Sequence, residues 1–462
     1  PDSFYDLPDD NSMRQELWDA AVNDAISKNN ALIDALSLAD LIPAIYLKNG
    51  SVITPYDFAA GACDNFIVAE DGMSRGFSSI FSLDLLDEQF SFDADHVVSN
   101  WSTVYASTDT MVIAEPAQDW WWYWGDGDFD EATNIHRFAL ADNGTARYSG
   151  SGRVDGTVSN QFSLSEHEDI IRVAATTGQW NRWWLDEPTE PENHIYTLAG
   201  SDDLEVIGHV GGIAVGEQIW SARFIGERGY LVTFEQTDPL WTVDLSNPAG
   251  PAIMGELEVP GVSTYIHPIG DDHLLTIGYG GDADGLDWSI QVSLFDVSDF
   301  SNPRLTDNLT LVDTKNDDIT STWGWSEALN EHKAFQYWDA RKLLAVPVSY
   351  SSSWYTDSEY GHTYVSNLVL VSVDADTGLD IDGELDHSIF YNQDAPAHYW
   401  DNIDIRRSIF MGDYIYAISD RGITVNNLDD MALSASVTLP GMQYDDIFYY
   451  GIDTNAEEPL KE

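Results

Sequence analysis

The chain has 462 residues, 43% hydrophobic and 12% aromatic, and carries 20 Lys and Arg against 79 Asp and Glu, a formal net charge of -59. That charge repels phosphate backbones and anionic lipid headgroups, which argues against nucleic acid and membrane surfaces as partners, and the apolar fraction excludes a disordered polyelectrolyte. Such a surface suits a salty external medium and offers oxygen ligands to hard cations such as Ca²⁺, so a secreted protein of a marine or halophilic source is expected.

Pro1 opens the chain with neither Met nor an apolar leader, as a processed secretory protein or a trimmed chain would, and no run approaches the ~18 apolar residues of a membrane span. Ser12 to Asp40 reads as a helix, with Leu17, Ala20, Ala21, Ala25, Ile26, Leu32, Ile33, Leu36 and Leu38 at helical spacing and Pro43 ending it. Cys63 is the only cysteine, so no intrachain disulfide exists, and a buried apolar thiol is expected. Residues 1–50 are therefore taken as an N-terminal helical segment and 51–462 as one all-β domain.

After the helix, short apolar and β-branched runs are punctuated by Gly, Asp, Asn and Pro, the pattern of an all-β array. The runs repeat. LWTVDLSNPAGPAIMGELEVPG from Leu240 and VSLFDVSDFSNPRLTDNLTLVD from Val292 each read strand, Asx-Pro turn, strand, and each follows a hairpin, SARFIGERGYLVTF from Ser221 and TYIHPIGDDHLLTIGYG from Thr264. Four strands in meander order make a propeller blade. The hairpin recurs from Ser102, Gln161, His332 and Arg406, and a less regular unit follows Asn65, which gives about seven blades.

The phrases TNIHRF, NQFSLSE, IRVAATTG, SARFIGERGYLVTFEQTDPLWTVDLSNP, STYIHPIG, SLFDVSD, SEALNEHKAF and IRRSIFMGDYIYAISD, in this order, resemble the secreted β-propeller family of bacteria and archaea, sometimes called the C-terminal β-propeller family. The resemblance covers about Leu41 to Pro440 and implies a propeller in an extracytoplasmic setting. It implies no particular activity, because fold does not supply function. Family members usually begin with further propeller strands before the helix, and nothing in Pro1 to Gly50 matches them; either a companion chain supplies those strands or the ring closes without them.

The family's geometry implies that each blade's first strand lines the channel. Aligned at their turns, the hairpins put Gln161, Ser221, Tyr265, His332 and Arg407 at one channel level and Ser163, Arg223, His267, Ala334 and Ile409 one alternation deeper. His267 and His332, with a carboxylate such as Glu327, are candidate ligands for Zn²⁺ or Cu²⁺; the bland alternative is hydrogen bonding to backbone or channel water. His136 falls on a third strand and reads as structural. Arg406 and Arg407 are expected to pair with Asp401 or Asp404.

The longest insertions, AQDWWWYWGDGDFDEAT, TGQWNRWWLDEPTEPEN, YGGDADGLDWS and SYSSSWYTDSEYGHTYVS, share one place, between second and third strands, and so should emerge on one face. They carry Trp120, Trp121, Trp122, Trp124, Trp180, Trp183, Trp184, Trp288 and Trp354, either a platform for sugar or protein or a roof over the channel. Their acids suggest Ca²⁺: Asp126, Asp128, Asp130 and Glu131 in a DxDxD pattern, Asp282, Asp284 and Asp287 in a second cluster, and Asp374, Asp376, Asp380 and Asp382 in a third. Glu131 stands where the turn glycine of an EF-hand belongs.

No nucleophile elbow, HExxH, phosphate-binding glycine loop or CxxC occurs. The leading expectation is a secreted, Ca²⁺-stabilised propeller that binds a polysaccharide or an extracellular protein through its Trp-rich face. The alternatives are a Cu- or Zn-dependent enzyme near His267 and His332, and a subunit of a surface assembly docked by the N-terminal helix.

Overall fold

The computed structural model describes residues 10–37, 40, 45–56, 66–70, 76–84, 92–99, 101–118, 131–141, 145–179, 190–234, 238–280, 288–312, 321–355, 360–391 and 403–440. Pro43 and Cys63 lie outside them. The chain divides into two compact units, Pro1–Asn100 with Asp142–Ala146, and Trp101–Ala141 with Arg147–Glu462. A small sheet thus groups with the helix.

In the first unit a helix spans Asn11–Ala35. Asp10 caps it by accepting from the Ser12 and Met13 amides at 2.8 and 3.1 Å, which satisfies donors that the first helical turn leaves open. The helix ends five residues before the expected Asp40. Ser37 donates its amide and hydroxyl to the Asp40 carboxylate at 2.8 and 2.6 Å, a local bond that competes with continued helix. Its apolar residues Met13, Leu17, Trp18, Ile26, Leu32 and Ile33 are exposed. The unit also holds a hairpin of Ile45–Asn49 and Val52–Tyr56, and a three-stranded sheet in which Phe92–Val98 lies between Phe66–Ile67 and Phe77–Leu83. Among the described residues no helix is long and apolar enough to cross a membrane.

Among the described residues the second unit contains six antiparallel meanders, four-stranded except for the five-stranded blade 5: blade 1 (103–155, apart from 142–146), blade 2 (164–213), blade 3 (218–259), blade 4 (262–310), blade 5 (321–386) and blade 6 (405–438). This all-β, blade-by-blade arrangement is the expected propeller architecture. The second strands of blades 1 to 4 are buried on both faces, which explains why Ile170–Thr177 and Arg228–Phe234 read as unbroken apolar runs, whereas the strands of blade 6 alternate. Ala174 faces blade 3, in a layer with Ile195, Leu231 and Val243, while its neighbours Val173 and Ala175 face blade 1, in a layer with Val112 and Ile135. Leu343 and Ala345 likewise pack toward blade 6, and Leu344 and Val346 toward blade 4. Strand pleating thus supplies one apolar layer to each neighbour.

The Asx-Pro turns key successive blades together. In the third strands of blades 2 and 3, Thr197 and Thr242 stand opposite Gly208 and Gly255 of the fourth strands. Each threonine hydroxyl donates to a carbonyl in the next blade's turn, Pro248 at 2.5 Å and Phe300 at 2.7 Å. Each glycine leaves room for that turn: a Cβ on Gly208 would overlap the Pro248 oxygen, and one on Gly255 would lie 2.9 Å from the Ser301 oxygen. The turns keep their shape through Asp244 and Asp296, whose carboxylates accept from the amides of Ser246 and Ser298 at 2.9 Å.

His387, in the link between blades 5 and 6, is fully buried with its ring nitrogens 3.3 Å from the Thr424 hydroxyl and 2.8 Å from the Ser419 hydroxyl. Burial pushes its pKa down to about 4, so the folded ring is neutral.

Two measurements test these features. Gly208→Ala should lower unfolding free energy by about 3 kcal/mol and Thr242→Val by about 1–2 kcal/mol in urea titrations, with unchanged m-values. An unfolded histidine binds its proton near pH 6.5, so the His387 contribution is complete above that value and is lost toward pH 4, at up to about 1.4 kcal/mol per pH unit. His387→Gln should flatten the fall in stability between pH 6.5 and 4.5; an unchanged slope would refute the assignment.

Candidate functional site at the channel mouth

The inner edges of the blades depart from plain strands at one recurring place. The first strands of blades 3, 4 and 6 are bulged, so that Trp220, Thr264 and Arg406 are skipped in the pairing. A bulge re-aims side chains and breaks the two-residue alternation. In blade 2 the same place holds a 3-10 turn, Gln161–Ser163, capped by the Asn160 side chain accepting from the Phe162 amide at 2.9 Å. Blade 5 has a split inner edge, Ser321–Trp325 and Gln336–Trp338, with 3-10 turns Glu327–Leu329 and His332–Ala334 between the two pieces. Gln161 and His332, expected on strands, therefore lie on capped turns: the Ser326 hydroxyl and the Glu331 carboxylate accept from the Ala328 and Lys333 amides, which favours turn over strand.

These devices enclose a cavity of about 540 Å³ whose walls include Gln161, Phe162, Trp220, Tyr265, Glu331 and His332. The Gln161 amide donates to His332 Nδ1 at 3.2 Å. Phe162 meets His332 edge-on at 5.0 Å and Tyr265 at 5.2 Å between centroids. The Tyr265 hydroxyl lies 3.3 Å from His267 Nδ1, and His267 packs on Phe335 and Tyr337. The Arg223 guanidinium sits 4.9 Å over the Phe162 ring, a cation–π contact between blades 3 and 2.

Both imidazoles are held neutral. Burial, with Arg223 adding to it, pushes His267 down to about 4. Burial also lowers His332, outweighing the Glu331 carboxylate 3.3 Å from its Nδ1. Glu331 is held below the usual carboxylate range first by the Lys333 amide and then by Arg407.

Glu327, expected beside the histidines, instead pairs with Arg406 at 3.0 Å and Arg407 at 3.8 Å, and Arg407 also reaches Glu331 at 3.3 Å. Of the two carboxylates expected to pair with these arginines, Asp404 is engaged elsewhere. Asp401 lies outside the described residues, and Asp404 accepts from Trp325 Nε1 at 3.0 Å and from the Tyr364 hydroxyl. Among the described residues no group of three or more His, Cys, Asp and Glu side chains is placed to hold a metal ion. His136 is buried on the third strand of blade 1, 3.3 Å from Glu115 and 2.6 Å from the Ser151 hydroxyl, and none of these three residues lines the cavity.

In antiparallel blades the end of the second strand lies beside the start of the first, as Phe234 does beside Gln218. The insertions after Pro116, Thr177 and Gly280 therefore leave on the side of the cavity. Trp120, Trp121, Trp122, Trp124, Trp180, Trp183, Trp184, Asp126, Asp128, Asp130, Asp282, Asp284 and Asp287 lie outside the described residues. Trp288 is 42% exposed and Trp220 45%, and both meet Phe234 edge-on, at 5.6 and 5.9 Å. That connects a predicted tryptophan to the cavity wall through one the sequence reading missed. The fourth insertion is not a loop: Leu343–Tyr355 and Tyr360–Asp374 continue pairing to Tyr355 opposite Tyr360, with Trp354 opposite Gly361.

Glu131 is a strut between blades 1 and 2, its carboxylate accepting from the Gly178 and Gln179 amides at 2.5 and 3.2 Å. In the third acidic cluster Asp374 accepts from the Asp376 and Thr377 amides and pairs with Lys342 at 2.9 Å, closing a turn in place of an open cation site.

A family model described as "Beta propeller domain" matches residues 18–431. Among curated proteins the chain is similar to the uncharacterized protein MJ1554 of Methanocaldococcus jannaschii, 33% identical over 269 residues that cover 58% of this chain and 35% of that one. It is also similar to an uncharacterized protein of Archaeoglobus fulgidus, 37% identical over 205 residues, 44% of this chain and 28% of that one. The aligned stretches thus span 35% and 28% of those relatives' length. Among solved structures the chain is similar to Kuenenia stuttgartiensis hydrazine synthase, with a TM-score of 0.38, 12% identity and coverage of 71% of this chain and 76% of that one. It is likewise similar to the beta-propeller domain of Myceliophteria thermophila Cps50 (Swd1), with a TM-score of 0.34, 12% identity and coverage of 74% and 88%. Scores this low carry no functional argument.

The electrostatics of the site can be read directly. An NMR titration should give His267 a midpoint near 4, and Arg223→Gln should raise it by removing the adjacent positive charge. A wild-type midpoint near the ordinary 6.5 would contradict the burial described here.

Proposed function

The chain belongs to the beta propeller domain family, and we propose that within it this protein is an extracellular binding protein that takes a glycan at the channel mouth. One observation carries this reading: a cavity of about 540 Å³, in the size range of small-ligand sites, combines Phe162, Tyr265 and Trp220 rings with the planar polar groups of Gln161 and His332. Aromatic faces stack on the C–H faces of sugars, while amides and imidazoles exchange hydrogen bonds with hydroxyls. The second strands that precede the Trp-rich insertions end on the side of this cavity, and there the exposed Trp288 meets Phe234, which also meets Trp220 of the cavity wall. The high negative charge supports an extracellular setting of high ionic strength.

Calcium is part of the proposal at Asp126, Asp128 and Asp130, with Asp282, Asp284 and Asp287 as a second clamp. A companion chain completing the ring is a further proposed partner. A Cu- or Zn-dependent centre at His267 and His332 has less support, because Glu327, the carboxylate expected to complete it, pairs with Arg406 and Arg407. The exposed apolar helix Asn11–Ala35 favours a second reading, docking within a surface assembly; sedimentation across a dilution series should then show concentration-dependent association that Trp18→Glu abolishes.

Glycan arrays followed by calorimetry test the main reading. Trp220→Ala and Phe162→Ala should each weaken binding by about tenfold or more, while Trp121→Ala and Trp183→Ala report on the insertions. Chelation should weaken binding through the loops and leave the blades folded. Absence of glycan binding, or binding indifferent to Trp220 and Phe162, would defeat the reading.

A further inference from the structure

We infer that the glycan taken at this site carries a carboxylate, and that Arg223 is the residue that binds it. The inference rests on the glycan reading above and narrows it to uronic acids.

The chain has only 20 Lys and Arg, and the arginines near the channel are, with one exception, matched. Arg406 and Arg407 hold Glu327 and Glu331. Arg172 donates to the Ser165 hydroxyl at 2.8 Å and to the Gly226 carbonyl. Arg223 is the exception: among the described residues it makes neither an ion pair nor a hydrogen bond, and its guanidinium contacts the Phe162 ring. Its charge acts on Tyr265, whose pKa burial raises, and on His267 and His332, whose pKa values burial lowers, and none of the three brings a negative charge at neutral pH.

In a protein of net charge -59, leaving a guanidinium unpaired in a half-buried channel forgoes an abundant stabilising partner. A ligand carboxylate would complete it. Arginine presents a planar fork of N–H donors that matches a carboxylate in bidentate fashion, and the aromatic ring beneath fixes the plane of the fork.

The shape agrees. Arg223 lines a second cavity of about 420 Å³ that shares Gln161 and Phe162 with the first. A sugar ring seated between Trp220 and Phe162 can therefore direct a substituent past Gln161 toward the guanidinium. Glu166 also lines this second cavity and keeps its charge, its carboxylate accepting from the Asp169 amide at 2.9 Å and the Ser107 hydroxyl at 3.4 Å, and the Arg172 guanidinium in the same lining offsets it. The field of the whole protein repels polyanions, which disfavours an acidic peptide or a polyuronate and favours a single uronate, free or at the end of a neutral glycan.

The test titrates the full chain with glucuronate and galacturonate against glucose and galactose by calorimetry, in wild type, Arg223→Gln and Arg223→Lys. Wild type should prefer each acid over its neutral counterpart by about tenfold or more, the size of one charge-assisted bidentate contact. Arg223→Gln should abolish the preference without weakening the neutral sugars, and Arg223→Lys should retain part of it. A methyl glycoside and a disaccharide with a terminal uronate separate the free from the chain-end ligand. Equal affinity for acid and neutral sugars in wild type, or a preference that survives Arg223→Gln, overturns the inference and leaves the glycan reading standing. Failure of all these sugars to bind overturns both. Tighter binding of a glutamate peptide overturns the sugar assignment.

Discussion

Two-sided burial is the constraint on which the blades depend. A sheet apolar on both faces has no stable existence alone, and each blade here hides one face against each described neighbour, as Val173 and Ala174 do from adjacent positions of one strand. Burial alone would permit sliding. The register between blades comes from polar keys: a threonine hydroxyl and a bare glycine receive the Asx-Pro turn of the next blade, so the most recognisable repeat in the chain is the part that sets blade spacing.

The channel mouth follows from the same geometry by exception. Bulges also mark the third-to-fourth strand pairing of blades 2 to 6, but those at the inner edges of blades 3 and 4, together with the 3-10 turns, border the cavity. Those irregularities bring Trp220, Phe162, Gln161 and His332 to one cavity. Near it Arg406 and Arg407 pair with Glu327 and Glu331 and burial lowers the pKa of both histidines, which leaves the Arg223 guanidinium on the Phe162 ring as an arginine at the site that is unpaired among the described residues.

Much of this was legible in the residues. Unbroken apolar runs, Asx-Pro turns and recurring hairpins announce meander blades, because strand burial and turn chemistry are local properties. The shared position of the insertions was also readable, since antiparallel order fixes which loops share a face. The inner edge was not. Strict alternation put His332 on a strand and left Trp220 outside the site, because a bulge is one residue long and nothing in QIWSARF marks it. The pairing of Glu327 with Arg406 and Arg407 was hidden for another reason: it joins the inner edges of two blades, and Asp404, closer in sequence, is taken by Trp325 and Tyr364. Asp374 shows the opposite error, where an acidic run that looked like a cation loop is a lysine-closed turn.

Blades 1 and 2 are joined more closely than any other described pair. At their outer margin Asp203 and Leu204 pair in parallel with Ser151 and Gly152, merging the two blades into one eight-stranded sheet. Nearer the channel, Glu131 bolts blade 1 to the Gly178 and Gln179 amides of blade 2. A plate fastened at both margins has no hinge. Blades 1 and 2 thus form a single stiff bracket, which holds the strand ends at Pro116 and Thr177 at a fixed separation.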